Sequence, residues 1–334
     1  MNKLTKIGAS ALAGSLAMVS AHSTEYVMSG GMTATFTTQD APSQVQAKNG
    51  KGFGFATDLG FTANGELDNG YTVKAFMSVD TNAALANTSS QLTLGMGSLG
   101  TLQLNNIGGS KANGIDDVTP NAYNETWDGL NPDNGSFFGS LTSSGSLDYR
   151  IPAQEYMGNT VNASVTFDPN ANIGAAKKGG VANTSISGTA YTVQVANENG
   201  VEVGFGVESV DDEQGKVGTK GSEQSTAYIK YAFGAVSVGY QEAVSTIAKT
   251  AKKDATFASI AYTMGDLTVS YGESDIKTNA HGATASLLTI DQTSIQAAYT
   301  MGAMTLSAAM SETDNVAGAT GKHDQTTLAV SFAF

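Results

Sequence analysis

The chain has 334 residues, no cysteine and a formal net charge of −13. Without cysteine, neither a disulfide framework nor a thiolate metal site can form, and the acidic balance argues against nucleic acid as a partner. A charged fraction of only 14%, with 39 glycines and 5 prolines, is typical of a β protein and not of a disordered chain.

The first element in chain order is a secretory signal. Two lysines precede the apolar run Ile7–Val19, which is too short to span a bilayer as a stop-transfer helix. Cleavage after Ala21 or Ser23 fits the small residues that follow, and Ser23 is favoured because an alternating run begins directly afterwards. We therefore expect a signal peptide over 1–23 and a mature chain over 24–334. Loss of the two lysines makes its net charge −13 − 2 = −15.

Alternating runs fill the rest of the chain. About sixteen segments place apolar residues on one face and polar residues on the other, as Leu267, Val269 and Tyr271 do against Thr268 and Ser270. No stretch after the leader offers the about 18 uninterrupted apolar residues that a membrane-spanning helix needs. The runs therefore predict an all-β protein, which is either a soluble sandwich or a membrane barrel.

The connections between the runs alternate between long and short. The long connection Asn170–Thr184 is followed by the short Glu198–Gly200, and Asp275–Leu288 is followed by Thr300–Ala303. This alternation of long and short connections over an even number of strands is typical of an outer-membrane barrel with external loops and periplasmic turns. A Greek-key sandwich does not require it. The sequence thus predicts one domain, a transmembrane antiparallel up-and-down β-barrel of 16 strands.

One long connection, Ile107–Ser143, differs from the others. It has no sustained period and carries Pro120, Pro132 and the only tryptophan, Trp127. An irregular segment of roughly 35 residues is usually either functional or disordered. For a lone aromatic residue, packing on the barrel wall is favoured over contact with a solute. The segment also carries an acidic group, namely Asp116, Asp117, Glu125 and Asp128.

These features together resemble the general bacterial porins, and within them the alphaproteobacterial type. The resemblance covers the mature chain and is carried by the leader, the strand rhythm, GSLGTLQLNN followed by GIDD, and the terminal TTLAVSFAF. It implies a Gram-negative outer-membrane channel, surrounded by outer-membrane lipid, for passive diffusion of small hydrophilic solutes and ions. It also implies that Ile107–Ser143 is a third extracellular loop folded into the lumen. A homotrimer is expected, with Phe334 marking the chain for the outer-membrane assembly machinery.

The resemblance further implies where the charged side chains lie. The acidic group falls in the loop that narrows the pore in this family, and Lys74, Arg150 and Asp58 are expected as lumen charges on the wall opposite. General porins commonly place several arginines there, whereas Arg150 is the only arginine in this chain. We therefore expect a weak transverse field and a preference for cations.

Enzymatic chemistry has no support in the sequence. No G-x-S-x-G or H-E-x-x-H motif is present, and His22, His281 and His323 fall in the leader region or near predicted long loops. No cofactor is expected, although acidic groups such as Asp116–Asp117 and Asp211–Glu213 could hold Ca²⁺ without any spacing that fixes a ligand cage. Two alternatives remain open: a substrate-specific channel for sugars or peptides, and a secreted or surface β protein with a structural or adhesive role.

Overall fold

The computed structural model describes ten ranges of the chain, and the predicted signal peptide lies outside them. Among the described residues no helix is both long enough and apolar enough to cross a membrane. The ranges are 25–40, 50–80, 86–129, 137–142, 145–169, 187–211, 221–247, 251–280, 289–316 and 321–334.

The described residues form one antiparallel sheet of 17 strand segments. The segments β6 and β7 both pair with β8 and are two parts of one strand, interrupted near Pro152, which has no N–H to donate. The predicted barrel of 16 strands is therefore confirmed. The segments are β1 Glu25–Gln39, β2 Gly50–Glu66, β3 Thr72–Asp80, β4 Ala86–Gly95, β5 Thr101–Asn106, β6 Ser146–Arg150, β7 Gln154–Tyr156, β8 Asn159–Asp168, β9 Gly188–Asn197, β10 Val201–Val210, β11 Ser222–Phe233, β12 Val236–Ile247, β13 Ala251–Met264, β14 Leu267–Ala280, β15 Thr289–Met301, β16 Met304–Asp314 and β17 Lys322–Ala333.

The sheet closes on itself between its first and last strands. β1 pairs with β2 on one side and with β17 on the other, where Gly31 lies opposite Ala333. Beyond that pair, the Gly30 amide donates to the Phe334 carbonyl at 2.8 Å, and the Phe334 amide donates back at 3.0 Å. Closure pairs the two outer strands with each other, whereas the edges of an open sheet would be free to pair with other chains.

The two faces of the barrel have opposite character. Outward side chains are large, apolar and exposed, as Ile260, Ile295 and Met310 show, whereas inward side chains such as Gln241 and Gln292 are polar and buried. A soluble protein would bury the apolar face, because exposed apolar surface in water is unfavourable. An apolar exterior around a polar interior is the arrangement of a barrel that sits in lipid.

Tight turns join the strands at one end of the barrel. Gly234, Gly265 and Gly302 adopt φ of 58°, 59° and 61°, a left-handed conformation that glycine tolerates best. The turn predicted over Ala153–Met157 is wrong by a few residues, because β7 occupies 154–156 and the chain turns at Met157 and Gly158. Met157 itself has a positive φ of 49°.

Two long connections at the other end are shorter than predicted. Residues 246–247 and 251–253 of the loop expected over Thr246–Lys253 are strand, and β14 continues through 275–280. The prediction was wrong because charged side chains were taken as a sign of a loop. In the structure Lys252, Asp254 and Lys277 project outward from paired backbone, and Asp254 lies directly opposite Lys277, which favours the pairing.

Candidate pore constriction

The connection between β5 and β6, which we call the insertion (Ile107–Ser143), is described over 107–129 and 137–142. It leaves β5 through a left-handed turn at Ile107, Gly108 and Gly109, whose φ angles are 65°, 66° and 90°. Over these described residues its only regular pieces are short 3-10 turns at Asn113–Ile115 and Thr126–Asp128. The insertion instead takes its shape from the wall that it contacts.

Side chains on the inner face of β12 to β15 hydrogen-bond the main chain of the insertion. Gln241 on β12 donates to the carbonyls of Ile115 and Asp116, at 3.0 and 2.7 Å, and accepts from the Val118 amide at 2.9 Å. These bonds give buried amides and carbonyls the partners they need. The series continues with Ser259 Oγ to the Pro120 carbonyl (2.7 Å), the Ala122 amide to Ser270 Oγ (2.9 Å), and the Tyr123 and Asn124 amides to Gln296 Oε1 (2.9 and 3.0 Å).

Glycines on alternate strands make room for the insertion. At Gly239 on β12, an added Cβ would lie 2.5 Å from Cδ of Pro120, and at Gly206 on β10 it would lie 2.9 Å from Cδ1 of Ile115. At Gly272 on β14 it would collide with Thr126. Any larger residue at these inward positions would push the insertion off the wall.

An apolar cluster inside the barrel anchors the middle of the insertion. Trp127 meets Phe137 edge to face at a centroid distance of 5.5 Å, and Phe137 meets Phe257 of β13 at the same distance. Ile276 of β14 completes the contact, and all four side chains are buried. The prediction that Trp127 packs on the barrel wall is confirmed, and the inner face here is apolar where strict alternation predicted polar residues.

Two of the four predicted acids are engaged inside the insertion. Asp116 Oδ1 accepts the amides of Phe137 and Phe138, both at 2.7 Å, and so ties the outgoing limb to the returning limb. Asp117 accepts the amide and hydroxyl of Thr119, both at 2.9 Å, and the indole N–H of Trp127 at 3.1 Å. Both carboxyls therefore hold the fold of the insertion.

Burial raises the pKa of both Asp116 and Asp117. Loss of solvent raises the pKa of Asp116 to about 7, against the lowering effect of its two amide bonds. The pKa of Asp117 is also raised, chiefly by burial, and its bonds from Thr119 and Trp127 only partly offset that rise. Asp116 consequently changes charge near neutral pH.

Glu125 and Asp128 form the other half of the acidic group. They line a narrow crevice between the insertion and the inner face of β15 to β17, opposite Gln296, Ser311 and Gln325. Burial, with the nearby negative charges of Asp117 and Asp128, raises the pKa of Glu125 to about 8. Burial also raises the pKa of Asp128. Within the described residues neither carboxylate forms an ion pair.

Arg150 does not face the acidic group. It lies on β6, where its Nε donates to Asp148 at 2.7 Å and its guanidinium donates to the Gly109 carbonyl at 3.0 Å. The Asp148 carboxylate is fully buried and also accepts from Thr166 at 2.8 Å. The only arginine is therefore committed to a buried partner and to the root of the insertion.

Lys74 and Asp58 lie on the inner wall, away from the insertion's hydrogen bonds. Lys74 on β3 is exposed between Asn64 and Thr93 in the strand register, and no residue in the described ranges forms an ion pair with it. Asp58 on β2 is also exposed. The structure brings the four acids together in one segment but does not bring any of the three wall charges to them.

Several functional features escaped the sequence reasoning. The glutamines and serines that hold the insertion, and the glycines beneath it, were not singled out. A usable signal was the recurrence of glycine at inward positions of β10, β12 and β14. The buried Asp148 and Glu208 also went unassigned as site residues, although alternation places both on the polar face.

The histidine and metal expectations have mixed outcomes. His323 lies near the start of β17, opposite Thr313 and close to the predicted long loop Asp314–Thr320. His22, His281 and part of Asp211–Glu213 lie outside the described residues. Within the described part of the chain, no group of three or more His, Cys, Asp or Glu could hold a metal ion.

Comparison with known proteins places the fold. A family model described as Gram-negative porin matches residues 8–290. No curated protein sequence matches the chain. Among solved structures, a loop-deletion mutant of the Vibrio cholerae outer-membrane protein OmpT is 12% identical to this chain, with a TM-score of 0.68. The alignment covers 93% of this chain and 99% of the OmpT chain.

Two further structures are similar over the same share of the chain. The trimer form of in-vitro folded Vibrio cholerae OmpT is 9% identical with a TM-score of 0.65, over 93% of this chain and 99% of that one. A porin refined at 1.8 Å resolution is 16% identical with a TM-score of 0.63, over 93% and 100%. At such identities the likeness concerns the fold alone.

Proposed function

The chain belongs to the Gram-negative porin family, and we propose that its insertion is the size filter of a diffusion channel that favours cations. As a member of that family the protein is not an enzyme. It is an outer-membrane channel for passive diffusion of small hydrophilic solutes and ions. The proposal concerns which residues set the width and the charge preference of that channel.

The observation that carries the proposal is the set of hydrogen bonds between wall and insertion. A loop that narrows a lumen must stay in place against solute flow, and the insertion is held by side chains from four consecutive strands, by inward glycines and by the Trp127 cluster. Barrels of this size have an aqueous lumen, so such a segment sets the free cross-section.

The preference for cations follows from how charge is distributed. The insertion contributes Glu125 and Asp128 without a basic partner among the described residues. The inner faces of β1 to β4 add one exposed base, Lys74, and three exposed acids, Glu25, Asp58 and Glu66. Pore selectivity depends on the charged side chains that line the narrow region. The remaining inward side chains of these strands carry mainly hydroxyl and amide groups, among them Thr33, Thr35, Thr37, Thr62, Asn64 and Thr93.

We infer two roles within the acidic group. Asp116 and Asp117 act as internal acceptors that shape the insertion. Asp128 and, once the pH rises above its raised pKa of about 8, Glu125 supply the charge that a passing cation meets. Asp116→Asn with Asp117→Asn should therefore disturb channel width, whereas Glu125→Gln with Asp128→Asn should change ion preference at nearly constant width.

Planar-bilayer recordings in a salt gradient at pH 9, where Glu125 is largely ionised, test this division. The wild-type reversal potential should have the sign of cation selectivity, and the Glu125→Gln, Asp128→Asn double variant should move it towards zero. Glu242→Gln with Glu273→Gln, two exposed outward carboxylates on β12 and β14, serves as a charge-matched control. Anion selectivity of the wild type, or an equal shift in the control, would contradict the proposal.

We also propose that the mature protein, 24–334, is a single barrel domain that assembles as a homotrimer after removal of 1–23. The trimer form of OmpT supports this by analogy of fold. An apolar groove on the outer surface of β1, β2, β16 and β17 offers a surface for another subunit, lined in part by Phe36, Phe53, Leu306 and Leu328. Phe334 is the proposed signal for the assembly machinery. Chemical crosslinking in detergent should give a trimer band, and a monomer alone would contradict it.

A further inference from the structure

Glu208 on β10 is a buried carboxylate that the proposed function does not use. Its side chain points inward and is only 3% exposed. Neither carboxylate oxygen has a hydrogen-bond partner of good geometry within the described residues, and the hydroxyl of the neighbouring Thr142 also lacks one. A buried carboxylate is unfavourable unless something compensates its charge, so its surroundings need an explanation.

The returning limb of the insertion surrounds this carboxylate. The amide groups of Gly139, Leu141 and Thr142 lie close enough to stabilise its charge, without reaching hydrogen-bond geometry. A run of amides that converges on one point forms a site for an anion. The fixed anion in this site is Glu208 itself.

The same limb is held from two other directions. Asp116 accepts the two preceding amides, those of Phe137 and Phe138. Gln224 of β11 donates to Ser140 Oγ at 2.8 Å. The run of amides over 137–142 therefore lies between a carboxylate of the insertion and a carboxylate of the wall.

The strand that carries Glu208 is shaped for this limb. Gly206, two residues earlier on the same inward face, leaves the space that Phe138 occupies. Phe138 is fully buried in a cluster with Ala112, Ile115 and Tyr228. An apolar residue of the size of Glu208 would suit such a burial site better than a charge if packing alone mattered.

We propose that Glu208 is a latch, a positioning residue that holds the returning limb against β10 and so keeps the channel at its narrow width. This inference rests on the proposed function and extends it. The rest of the insertion is fixed by neutral hydrogen bonds to β12–β15. The returning limb is the part that meets a wall carboxylate, in addition to its bonds with Asp116 and Gln224 and the burial of Phe138. Without the carboxylate, the limb should detach from the wall more often.

The test compares single-channel currents of wild type, Glu208→Ala and Glu208→Gln. Loss of a charge-assisted interaction should make the detached limb about tenfold more populated or more in Glu208→Ala. This should appear as more frequent excursions to a larger conductance. Glu208→Gln keeps the size of the side chain but loses the charge, and it should lie between wild type and Glu208→Ala. Glu223→Gln, an exposed outward carboxylate on β11, is the control and should behave as wild type.

A reversible crosslink separates limb movement from general damage. The chain has no cysteine, so Ser140→Cys with Gln224→Cys introduces the only thiols, which a short bis-methanethiosulfonate linker can join. In the Glu208→Ala background the linker should restore quiet wild-type currents, and dithiothreitol should abolish the restoration.

The possible outcomes distinguish a failure of the latch from a failure of the proposed function. Wild-type currents in both Glu208 variants, or excursions that persist while the linker is in place, would overturn the latch. A wild-type protein that folds and does not conduct would instead overturn the proposed function. If Glu208→Ala fails to give a heat-modifiable barrel on gels, the isosteric Glu208→Gln variant decides alone, and quiet currents in it would overturn the latch.

Discussion

Raising the pH from 6 to 9 should make the channel markedly more selective for cations. The pKa of Glu125 is raised to about 8 and that of Asp116 to about 7. Glu125 should therefore go from about 1% to about 90% ionised over this interval, and Asp116 from about 10% to about 99%. The constriction gains nearly two negative charges over a range in which an ordinary carboxyl changes little.

The same titration should loosen the insertion. A carboxyl whose pKa is higher in the docked state than in free solution favours docking when it is protonated. For Asp116 this contribution is complete below its ordinary pKa of 3.8 and is lost as the pH rises through about 7. Alkaline pH should thus increase both the charge and the mobility of the constriction.

Reversal potentials in a fixed salt gradient, recorded at pH 6, 7, 8 and 9, provide the assay. The cation preference should rise with a midpoint between about 7 and 8, and Glu125→Gln should remove most of the rise above pH 7. Selectivity that stays constant across the interval in the wild type would refute the reasoning, because Glu125 would then titrate as an ordinary surface carboxyl.

Three further outcomes are expected. Gly272→Val should displace the insertion through a clash with Thr126 and so enlarge the single-channel conductance. Gly52→Val is the control, because no atom lies within 4 Å of an added Cβ there, and it should leave the conductance unchanged. Equal conductance in the two variants would contradict the close packing of the insertion on Gly272. Trp127→Ala should destabilise docking by about 3–5 kcal/mol, measured as faster protease cleavage of the insertion in an otherwise intact barrel. Arg150→Met should leave the fully buried Asp148 without its ion pair. Because breaking a buried pair costs about 3–5 kcal/mol, the melting temperature of the barrel, followed as the heat-modifiable band on gels, should fall. An unchanged melting temperature would show that the pair contributes nothing to stability.

The barrel could be predicted from the sequence because its rule is local. Alternation places side chains such as Phe205 and Glu208 on opposite faces whatever the rest of the chain does. The short turns at Gly265 and Gly302 marked where the chain reverses direction between neighbouring strands. Strand ends were predicted less well, since the charged outward residues Asp254 and Lys277 look like loop residues until their cross-strand pairing is known.

The site could be predicted only in part, because its geometry depends on contacts between distant segments. Position in the loop order identified the insertion and its four acids. Nothing local distinguishes Asp117, which binds Trp127 and Thr119, from Asp128, which lines a crevice. That difference arises only when the main chain of the insertion meets Gln241 and the strands beside it, more than a hundred residues later in the chain.

Accessibility of position 128 tests the central claim most directly. Because the chain has no cysteine, Asp128→Cys can be modified selectively with a bulky cationic methanethiosulfonate reagent during a bilayer recording. If the insertion forms the constriction, modification should step the single-channel current down and reduce cation preference, while the same reagent on Glu223→Cys, on the outer face, should change neither. An unchanged current after complete modification of Asp128→Cys, verified by mass spectrometry, would show that the narrowest part of the channel lies elsewhere.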